Sequence, residues 1–480
     1  MNLLPSLNHF PDSVRHIHIM GICGTGMGSL AGMLKDSGYI VSGSDENVYP
    51  PMSDFLAACN IEIKNGYRAE NLSPGPDLVV VGNTIRKTNP EALALAERGI
   101  PYVSFPQALA HYFLAGKTSL VVTGTHGKTT TSSLLATLLH KAGLTPGFMI
   151  GGLVQAFGRN YNIGSSPYFV VEGDEYDTAF FDKESKFLHY QPSIAIVTSI
   201  EFDHADIFAD LEAIKRSFAK LMTIMPENGT VIGCFDSPVV REITADAPCR
   251  VLSYGSDTEF DWAVANLSVT PEGTLFDVFR HGKPYCTCRS PMPGKHNALN
   301  ALAVIAVLDR LGLDKKAIMD GLGSFEGVRR RQEVRGEVNN ITVIDDFAHH
   351  PTAVRETLTA LKQAYTGRRL IAVFEPRTNS SRRRIFQQDY VSSFDQADLV
   401  MVREPLPLKD FPAEQLFSSA KLAADLKQRN ITAFSFADTD AILAYLQDTL
   451  LPGDVVAILS NGGFDNIHTR LLEILKNSEE

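Results

Sequence analysis

The segment Val121–His140 has the sequence VVTGTHGKTTTSSLLATLLH and decides the fold of the chain around it. β-favouring residues lead into Gly124 and Gly127, and Lys128 then begins a leucine pattern of helical period. This order predicts a strand, a glycine turn and a helix, and the backbone N–H groups of such a turn form an anion site. Lys128 adds a positive charge and Thr129 a hydroxyl for Mg²⁺. We therefore interpret the segment as a loop that binds a nucleotide triphosphate.

The spacing of this loop differs from the usual Walker A pattern. Only Thr125 and His126 separate the two glycines, whereas Walker A has a longer spacer. A purely structural connection between a strand and a helix is the alternative interpretation. The predicted strand and helix on either side favour the phosphate loop.

Length and composition exclude several classes of protein. A chain of 480 residues exceeds one hydrophobic core, so two or three domains are expected. A net charge of -11 argues against nonspecific binding to nucleic acid or to anionic membranes. The N-terminal segment lacks a basic start followed by an apolar run, and no membrane-spanning apolar stretch occurs. We expect a cytoplasmic protein without a membrane partner; the sequence leaves the oligomeric state open, a monomer included.

The cysteines give no sign of a structural metal. The chain has six cysteines, and Cys286 and Cys288 form one C-x-C motif without a second pair at zinc spacing. Free or buried thiols are therefore expected.

Short apolar strands alternate with helical patterns along the chain, which predicts an α/β fold with parallel sheets. One such pattern covers residues 16–115, and a second begins at Thr118. Two β-rich stretches before residue 290 predict an antiparallel addition to the second sheet, and a third α/β unit follows a segment rich in glycine and arginine. We predict three domains, at residues 1–115, 116–328 and 329–480.

A second glycine loop follows the first predicted strand. Gly21 and Gly26 fit the dinucleotide fingerprint G-x-G-x-x-G, but Cys23 occupies the middle glycine position. Asp45 ends the next strand at about the distance that a ribose-binding acid needs. A dinucleotide, the pyrophosphate of a sugar nucleotide and a mere tight turn all remain open.

Acidic residues follow two further predicted strands. Glu172 and His204 each lie where an apolar strand ends, and ligands gather at the carboxyl ends of parallel strands. We expect both to face the same cleft as Thr129. One hydroxyl, one carboxylate and the nucleotide phosphates suffice for Mg²⁺, so Glu172 is the expected ligand beside Thr129, and the imidazole of His204 is less expected from its chemistry. A solvated acidic loop is the alternative, which we favour for Asp177 and Asp182.

Two further motifs lie near predicted helix starts or strand ends. His296, Asn297 and Asn300 open a strongly apolar helix, where they either cap the helix or contact an adenine. Farther along, a strand terminus is flanked by Arg330, Arg331, Asp346 and His349. A basic residue at a γ-phosphate stabilises charge during phosphoryl transfer.

Taken together, five motifs resemble those of the Mur ligases of bacterial cell-wall synthesis. In chain order they are TGTHGKTTT, VEGDEYD, SIEFDHADIF, PGKHNALNA and IDDFAHHPTAV. The resemblance implies a Rossmann-like domain that binds a UDP-sugar, a central ATPase domain with a P-loop, and a Rossmann-like third domain for the incoming amino compound. It also implies the chemistry: ATP phosphorylates a carboxylate, and an amine displaces phosphate from the acyl phosphate to form an amide.

The resemblance also implies roles for individual residues. Lys128, Glu172, His204 and Arg331 are implied to be catalytic, and Thr129, Glu172 and His204 to bind metal. The implied ATP-binding residues are Gly124, Thr125, His126, Gly127, Lys128, Thr129, Thr130, His296, Asn297, Asn300, Arg331 and Asp346. The implied UDP-sugar residues are Gly21, Gly24, Gly26, Asp45 and Asn83. Some family members carry a carbamylated lysine beyond the metal histidine, but here Phe218 falls at that position.

Longer segments resemble the branch of the family that acts on UDP-N-acetylmuramate. Several of them, including FEPRTNSS and LSNGGFDNIHTRLL, are similar to members that attach a preformed L-Ala-γ-D-Glu-meso-diaminopimelate tripeptide in cell-wall recycling. His349 and Arg377 are predicted to bind this peptide, with Arg377 preferred over the consecutive arginines at 382–384 because three arginines on a helix cannot all face one ligand. An L-alanine ligase is the closest alternative; an NAD-dependent oxidoreductase and a nucleotide-controlled binding protein are the others.

Overall fold

The structure is a computed structural model that describes residues 3–408 and 411–477. The chain forms two compact units, each built from several segments. The first consists of Met1–Gly124, Leu135–Ile200 and Glu212–Leu252, and the second of Thr125–Leu134, Glu201–Leu211 and Ser253–Glu480. The domain boundaries near residues 115 and 328 stay a prediction. Among the described residues, no helix has both the length and the apolar character needed to pass through a bilayer.

The first unit begins with a five-stranded parallel sheet in the order β3-β2-β1-β4-β5. Its elements are β1 (His16–Met20), α1 (Thr25–Asp36), β2 (Ile40–Asp45), α2 (Met52–Ala58), β3 (Glu62–Asn65), β4 (Leu78–Val81), α3 (Pro90–Arg98), β5 (Tyr102–Ser104) and α4 (Phe105–Leu109). All four residues of β4 are buried, as expected for a strand covered on both faces.

The next segment contains most of the second predicted sheet. Its elements are β6 (Thr118–Thr123), α5 (Lys128–Lys141), β7 (Gly147–Val154), β8 (Arg159–Asn162), β9 (Tyr168–Gly173), β10 (Asp177–Ala179), β11 (Asp182–Ser185), β12 (Ile194–Val197), α6 (Leu211–Thr223), β13 (Thr230–Cys234), α7 (Pro238–Thr244) and β14 (Arg250–Gly255). The strands of the first unit run β13-β12-β6-β9-β7-β8 and are parallel except for β8.

An antiparallel meander and two helices follow in the second unit. They are β15 (Trp262–Thr270), β16 (Gly273–Arg280), β17 (Lys283–Ser290), α8 (Lys295–Arg310) and α9 (Lys315–Gly323). This meander is the second of the two β-rich stretches predicted to be antiparallel, and that part of the prediction is confirmed. The first stretch was predicted wrongly, because β13 pairs in parallel with β12.

The last sheet of the second unit has the order β18-β19-β23-β20-β21-β22. Its elements are β18 (Glu333–Val338), β19 (Ile341–Asp346), α10 (Pro351–Ala364), β20 (Leu370–Phe374), α11 (Asp389–Ser393), β21 (Leu399–Arg403), α12 (Ser419–Gln428), β22 (Thr432–Phe436), α13 (Thr439–Thr449), β23 (Val455–Leu459) and α14 (Ile467–Asn477). Only β18 is antiparallel to its neighbour.

Alternating side chains of the central strands build a core on each face of this sheet. Ile344 and Phe374 pack with Leu358 of α10 on one face, whereas Val343 and Val373 pack on the other face with residues of α13 and α14. Because successive side chains of a strand point to opposite faces, such uniformly apolar strands require helices on both sides. The predicted α/β fold with mainly parallel sheets is confirmed.

Candidate active site

The predicted phosphate loop forms a strand, a glycine turn and a helix. Strand β6 ends at Thr123 and α5 begins at Lys128, as the sequence pattern indicates. Gly127 has a φ of +79°, and a Cβ atom built on it lies 2.6 Å from Oδ1 of Asn300. A side chain at 127 is therefore excluded both by backbone conformation and by space.

The segment after β12 holds this loop in place. The Glu201 N–H donates to Oγ1 of Thr125 at 2.8 Å. The Thr125 hydroxyl in turn donates to the Glu201 carbonyl oxygen at 3.3 Å. Nζ of Lys128 donates to the Thr125 carbonyl at 3.5 Å. The lysine thus lies along the loop, where it can neutralise phosphate charge.

Arg331 reaches the first turn of α5. Its Nη2 donates to Oγ1 of Thr129 at 3.2 Å, and its guanidinium lies 4.5 Å from the centroid of the Phe347 ring. Arg330 stacks on the same ring but donates to the carbonyls of Ser460 and Gly462, both at 2.6 Å. The two adjacent arginines therefore have different partners. Arg331 contacts the phosphate-loop helix, and Arg330 donates hydrogen bonds to the loop after β23.

Two histidines and a carboxylate meet beside the phosphate loop. We call His126, Glu201 and His350 the histidine–carboxylate cluster. Oε2 of Glu201 lies 3.3 Å from Nε2 of His126 and 3.7 Å from Nδ1 of His350, and it accepts the Thr352 hydroxyl at 2.7 Å. Burial alone raises the pKa of Glu201, but the hydrogen bonds from His126 and Thr352 and the neighbouring imidazoles outweigh burial and lower the pKa to about 2. Glu201 is thus an anion at neutral pH.

Asp203 forms a second acidic centre two residues farther along. It accepts the His204 N–H at 2.7 Å and lies 3.9 Å from Nε2 of His349. Burial disfavours its charge, but the nearby histidines and that N–H hold the pKa of Asp203 well below its usual range. The backbone of His204, the predicted metal ligand, has a φ of +54°, a conformation that is uncommon outside glycine.

The predicted adenine residues lie at the start of α8, but they do not cap it. The N-cap is Gly294, which makes no side-chain cap, so the capping interpretation is wrong. Asn297 donates to the Pro293 carbonyl at 2.8 Å and to Oε1 of Gln332 at 3.2 Å, and Asn300 donates to Oδ1 of Asn297 at 3.4 Å. These bonds fix both amides next to the phosphate loop.

His296 and Asp346 are polar groups in nearly dry surroundings. Nδ1 of His296 is buried without a hydrogen-bond partner in the described residues, and burial lowers the pKa of His296 to about 4. Asp346 accepts backbone N–H groups of Gln332 and Ala348, each at 2.7 Å, while burial raises its pKa. A neutral imidazole suits contact with an adenine, whereas Asp346 already supports the backbone around Arg331.

The arginines after β20 adopt separate conformations. Arg377 is 52% exposed, and its Nη1 lies 3.7 Å from Oε1 of Glu375. Its Cδ lies 2.2 Å from the position of a Cβ built on Gly462, so the side chain crosses this glycine in direct contact. Residues 382–384 do not form the expected helix, because Arg383 makes a β-bridge to Leu416 and only a 3-10 turn begins at 384.

In the first unit, the glycine loop after β1 is closed by Asp45. Its two carboxylate oxygens accept the N–H groups of Cys23 at 2.9 Å and Asn47 at 3.0 Å. Gly21 has a φ of +82°, and Gly24 is the N-cap of α1, which contains Gly26. Asn83 donates to the Asp177 carbonyl at 3.4 Å.

Glu172 lies near the end of β9, also in the first unit. Its Oε2 accepts the Gly151 N–H at 2.7 Å. A carboxylate is an oxygen donor of the kind that Mg²⁺ prefers, and so is the buried hydroxyl of Thr129, which belongs to the second unit.

Sequence reasoning missed four polar residues of the second unit. Glu201 and Asp203 follow β12, and His350 and Thr352 lie at the start of α10. The signal was present, since SIEFDH and DDFAHHPT both lie at strand ends, where polar side chains converge. Only the fold shows that Thr352 hydrogen-bonds to Glu201 across about 150 positions of chain.

Comparison with protein families gives three matches along the chain. The model of the Mur ligase family, catalytic domain, matches residues 16–116. The Mur ligase middle domain matches residues 122–308, and the Mur ligase, glutamate ligase domain, matches residues 330–462.

Individual relatives match over almost the whole chain. The chain is 42% identical to the UDP-N-acetylmuramate–L-alanyl-γ-D-glutamyl-meso-2,6-diaminoheptandioate ligase of Haemophilus influenzae, over 96% of this chain and 100% of that protein. It is 36% identical to the UDP-N-acetylmuramate–L-alanine ligase of Desulforapulum autotrophicum, over 96% and 98%. The crystal structure of a murein peptide ligase from Psychrobacter arcticus matches with a TM-score of 0.70 at 35% identity, over 96% of this chain and 99% of that one.

Proposed function

The chain belongs to the Mur ligase family, and from this premise we propose that it joins UDP-N-acetylmuramate to the tripeptide L-Ala-γ-D-Glu-meso-diaminopimelate. ATP is the co-substrate, and an amide bond forms between the lactyl carboxylate of the sugar and the amine of the peptide. Cell-wall peptide recycling is the process that such a product serves. Because both nucleotides are cytoplasmic metabolites, we propose the cytoplasm as its compartment.

The observation that carries the proposal is the contact between Arg331 and the phosphate-loop helix. The guanidinium of Arg331 donates to the hydroxyl of Thr129, and this contact supports the proposed role of Arg331 at the terminal phosphate of a nucleotide bound by the loop. Lys128 and Arg331 then stabilise the negative charge that spreads over the transferred phosphoryl group.

The proposed reaction has two steps. An oxygen of the lactyl carboxylate attacks the γ-phosphorus of ATP, ADP leaves, and an acyl phosphate forms. The peptide amine then attacks the acyl carbon, the C–O bond to phosphate breaks, and inorganic phosphate and a proton are released. Asp203 stays ionised at neutral pH, so it can hold the ammonium group of the peptide until that group loses its proton and attacks as the neutral amine.

We propose that Thr129 and Glu172 hold one Mg²⁺ ion and that His204 holds a second. When bound, Mg²⁺ neutralises phosphate charge and polarises the phosphoryl oxygens. Excluding water from the site protects the acyl phosphate from hydrolysis.

For the acceptor, the arginines after β20 favour the tripeptide. The peptide carries several carboxylates, and the half-exposed guanidinium of Arg377 is suited to bind one of them. The relative that is named for the tripeptide is also more similar to this chain than the relative that is named for L-alanine, with 42% against 36% identity. An L-alanine ligase is therefore the second candidate. We do not propose an NAD-dependent oxidoreductase, because both carboxylate oxygens of Asp45, the predicted ribose-binding acid, already accept backbone N–H groups.

Phosphate release tests the proposal directly. The protein is incubated with ATP, Mg²⁺ and UDP-N-acetylmuramate, and the tripeptide is compared with free L-alanine as the acceptor. We expect release that depends on all components and a much higher kcat/KM for the tripeptide, with Lys128→Ala as the inactive control. Preference for L-alanine would overturn the acceptor assignment, and turnover of Lys128→Ala at the wild-type rate would overturn the phosphate loop.

A further inference from the structure

We propose that the histidine–carboxylate cluster of His126, Glu201 and His350 binds a divalent transition-metal ion of the zinc class. The cluster shares no residue with the proposed magnesium ligands, and it brings together two imidazoles and one carboxylate. All three residues belong to the second unit, where His126 lies in the phosphate loop, Glu201 follows β12 and His350 precedes α10.

The distances within the cluster match a tetrahedral site. Nitrogen and oxygen ligands lie about 2.1 Å from Zn²⁺, which places tetrahedral ligands about 3.4 Å from one another. Oε2 of Glu201 lies 3.3 Å from Nε2 of His126 and 3.7 Å from Nδ1 of His350. The ligand atoms of all three residues lie within 4.8 Å of one another, so small side-chain rotations complete the geometry.

The neighbours of the cluster orient it for metal binding. Nε2 of His350 lies 3.1 Å from the Phe202 carbonyl, to which it donates, so Nδ1 carries the lone pair and lies 3.7 Å from Oε2 of Glu201. The Thr352 hydroxyl fixes the Glu201 carboxylate at 2.7 Å. Metal-binding histidines and carboxylates are usually held by such outer hydrogen bonds. Nδ1 also accepts the Thr352 N–H at 3.3 Å, a long contact that a bound ion replaces.

The donor set determines which ion is bound. Two imidazoles and one carboxylate favour Zn²⁺ or Co²⁺, whereas Mg²⁺ prefers oxygen donors and retains water. Three protein ligands leave a fourth position for water or for an anion. A bound ion therefore joins the phosphate loop to the first turn of α10 through direct bonds.

Titration with Co²⁺ tests the site without reference to catalysis. The full-length protein is titrated without nucleotide, in the presence of excess Mg²⁺, and the visible absorption of tetrahedral Co²⁺ is recorded. We expect one equivalent to bind with this spectrum and Zn²⁺ to displace it. Glu201→Gln, which keeps an acceptor for Thr352, and His350→Asn, which keeps a side chain able to cap α10, should each weaken binding at least about tenfold.

Two further variants sharpen the test. Thr352→Val removes only the hydroxyl that orients Glu201, so it should weaken binding by about 10- to 100-fold with the spectrum preserved. His281→Asn is the matched control, because His281 and Asp261 form a surface pair at 3.2 Å, and among the described residues no third ligand joins them. This control should bind Co²⁺ as the wild type does.

Absence of the tetrahedral spectrum in the wild type would overturn the proposal. The same holds if Glu201→Gln and His350→Asn, folded by circular dichroism, titrate like the wild type. If His350→Asn does not fold, Glu201→Gln alone decides the question. The readout is optical, so failure of this site leaves the ligase proposal unaffected, and failure of the ligase assay leaves this site unaffected.

Discussion

Replacing Gly462 with alanine should weaken peptide binding through Arg377. The added methyl group would lie 2.2 Å from Cδ and 2.3 Å from Nε of Arg377, far inside van der Waals contact. The half-exposed arginine can move away, so we expect the free energy of unfolding to change by no more than about 0.5 kcal/mol. The displaced guanidinium loses a charged hydrogen bond to a substrate carboxylate, which is worth about 1.5–3 kcal/mol. That loss raises the KM for the peptide by about 10- to 150-fold.

The assay is phosphate release at varied tripeptide and at varied ATP. The KM for the peptide should rise, whereas the KM for ATP should stay within about twofold, since the phosphate loop is unchanged. Gly463→Ala is the matched control. The neighbouring glycine has a φ of -74°, and a Cβ built on it meets nothing within 4 Å, so this variant should behave as the wild type.

A double-mutant cycle gives the sharpest test of this reasoning. If Gly462 acts through Arg377, Gly462→Ala should add little to the effect of Arg377→Ala. Additive effects on the KM for the peptide would show that the glycine acts elsewhere. An unchanged peptide KM in both single variants would remove Arg377 from the acceptor site.

Three other predictions concern the phosphate-loop region. Thr129→Ala should lower kcat on the order of 100-fold in phosphate release, because it removes a proposed Mg²⁺ ligand, while Thr129→Ser should retain most activity. Phe347→Leu removes the ring under Arg331, a stacking worth about 0.5–2 kcal/mol, so kcat/KM should fall about 2- to 30-fold with the thermal midpoint little changed. The pKa of Glu201 lies at about 2 instead of 4.5, so its charge stabilises the folded chain above pH 4.5, and this contribution is lost as the pH falls toward 2. Urea unfolding should therefore show that the Glu201→Gln variant is less stable than the wild type near neutral pH. The difference in the free energy of unfolding should shrink as the pH falls from 4.5 toward 2.

Local sequence patterns predicted the elements well because each depends on neighbouring residues. The phosphate loop is an example, since its strand, glycines and helix lie within twenty residues and α5 begins at Lys128 as expected. The central strands of the last sheet are equally easy to predict from the sequence, because strands that are buried on both faces are uniformly apolar.

Sequence-based predictions fail where the structure depends on backbone conformation or on contacts between residues far apart in the sequence. Asn297 has the chemistry of a helix cap, but Gly294 takes that position and Asn297 turns instead to Gln332. The role of Glu201 depends on His126 and Thr352, residues far apart in the sequence that no local pattern relates. Local sequence predicts a helix at the arginines 382–384, but helical propensity does not reveal the β-bridge that Arg383 makes with Leu416.

The close approach of Asn300 to Gly127 has a consequence for protein engineering. Oδ1 of Asn300 occupies the space that a side chain at position 127 would need, so the two positions cannot be varied independently. A library that alters nucleotide preference by changing α8 must keep a residue no larger than asparagine at 300. Shortening residue 300 to alanine opens a small cavity under the loop, but a substitution at 127 still has to adopt a left-handed backbone.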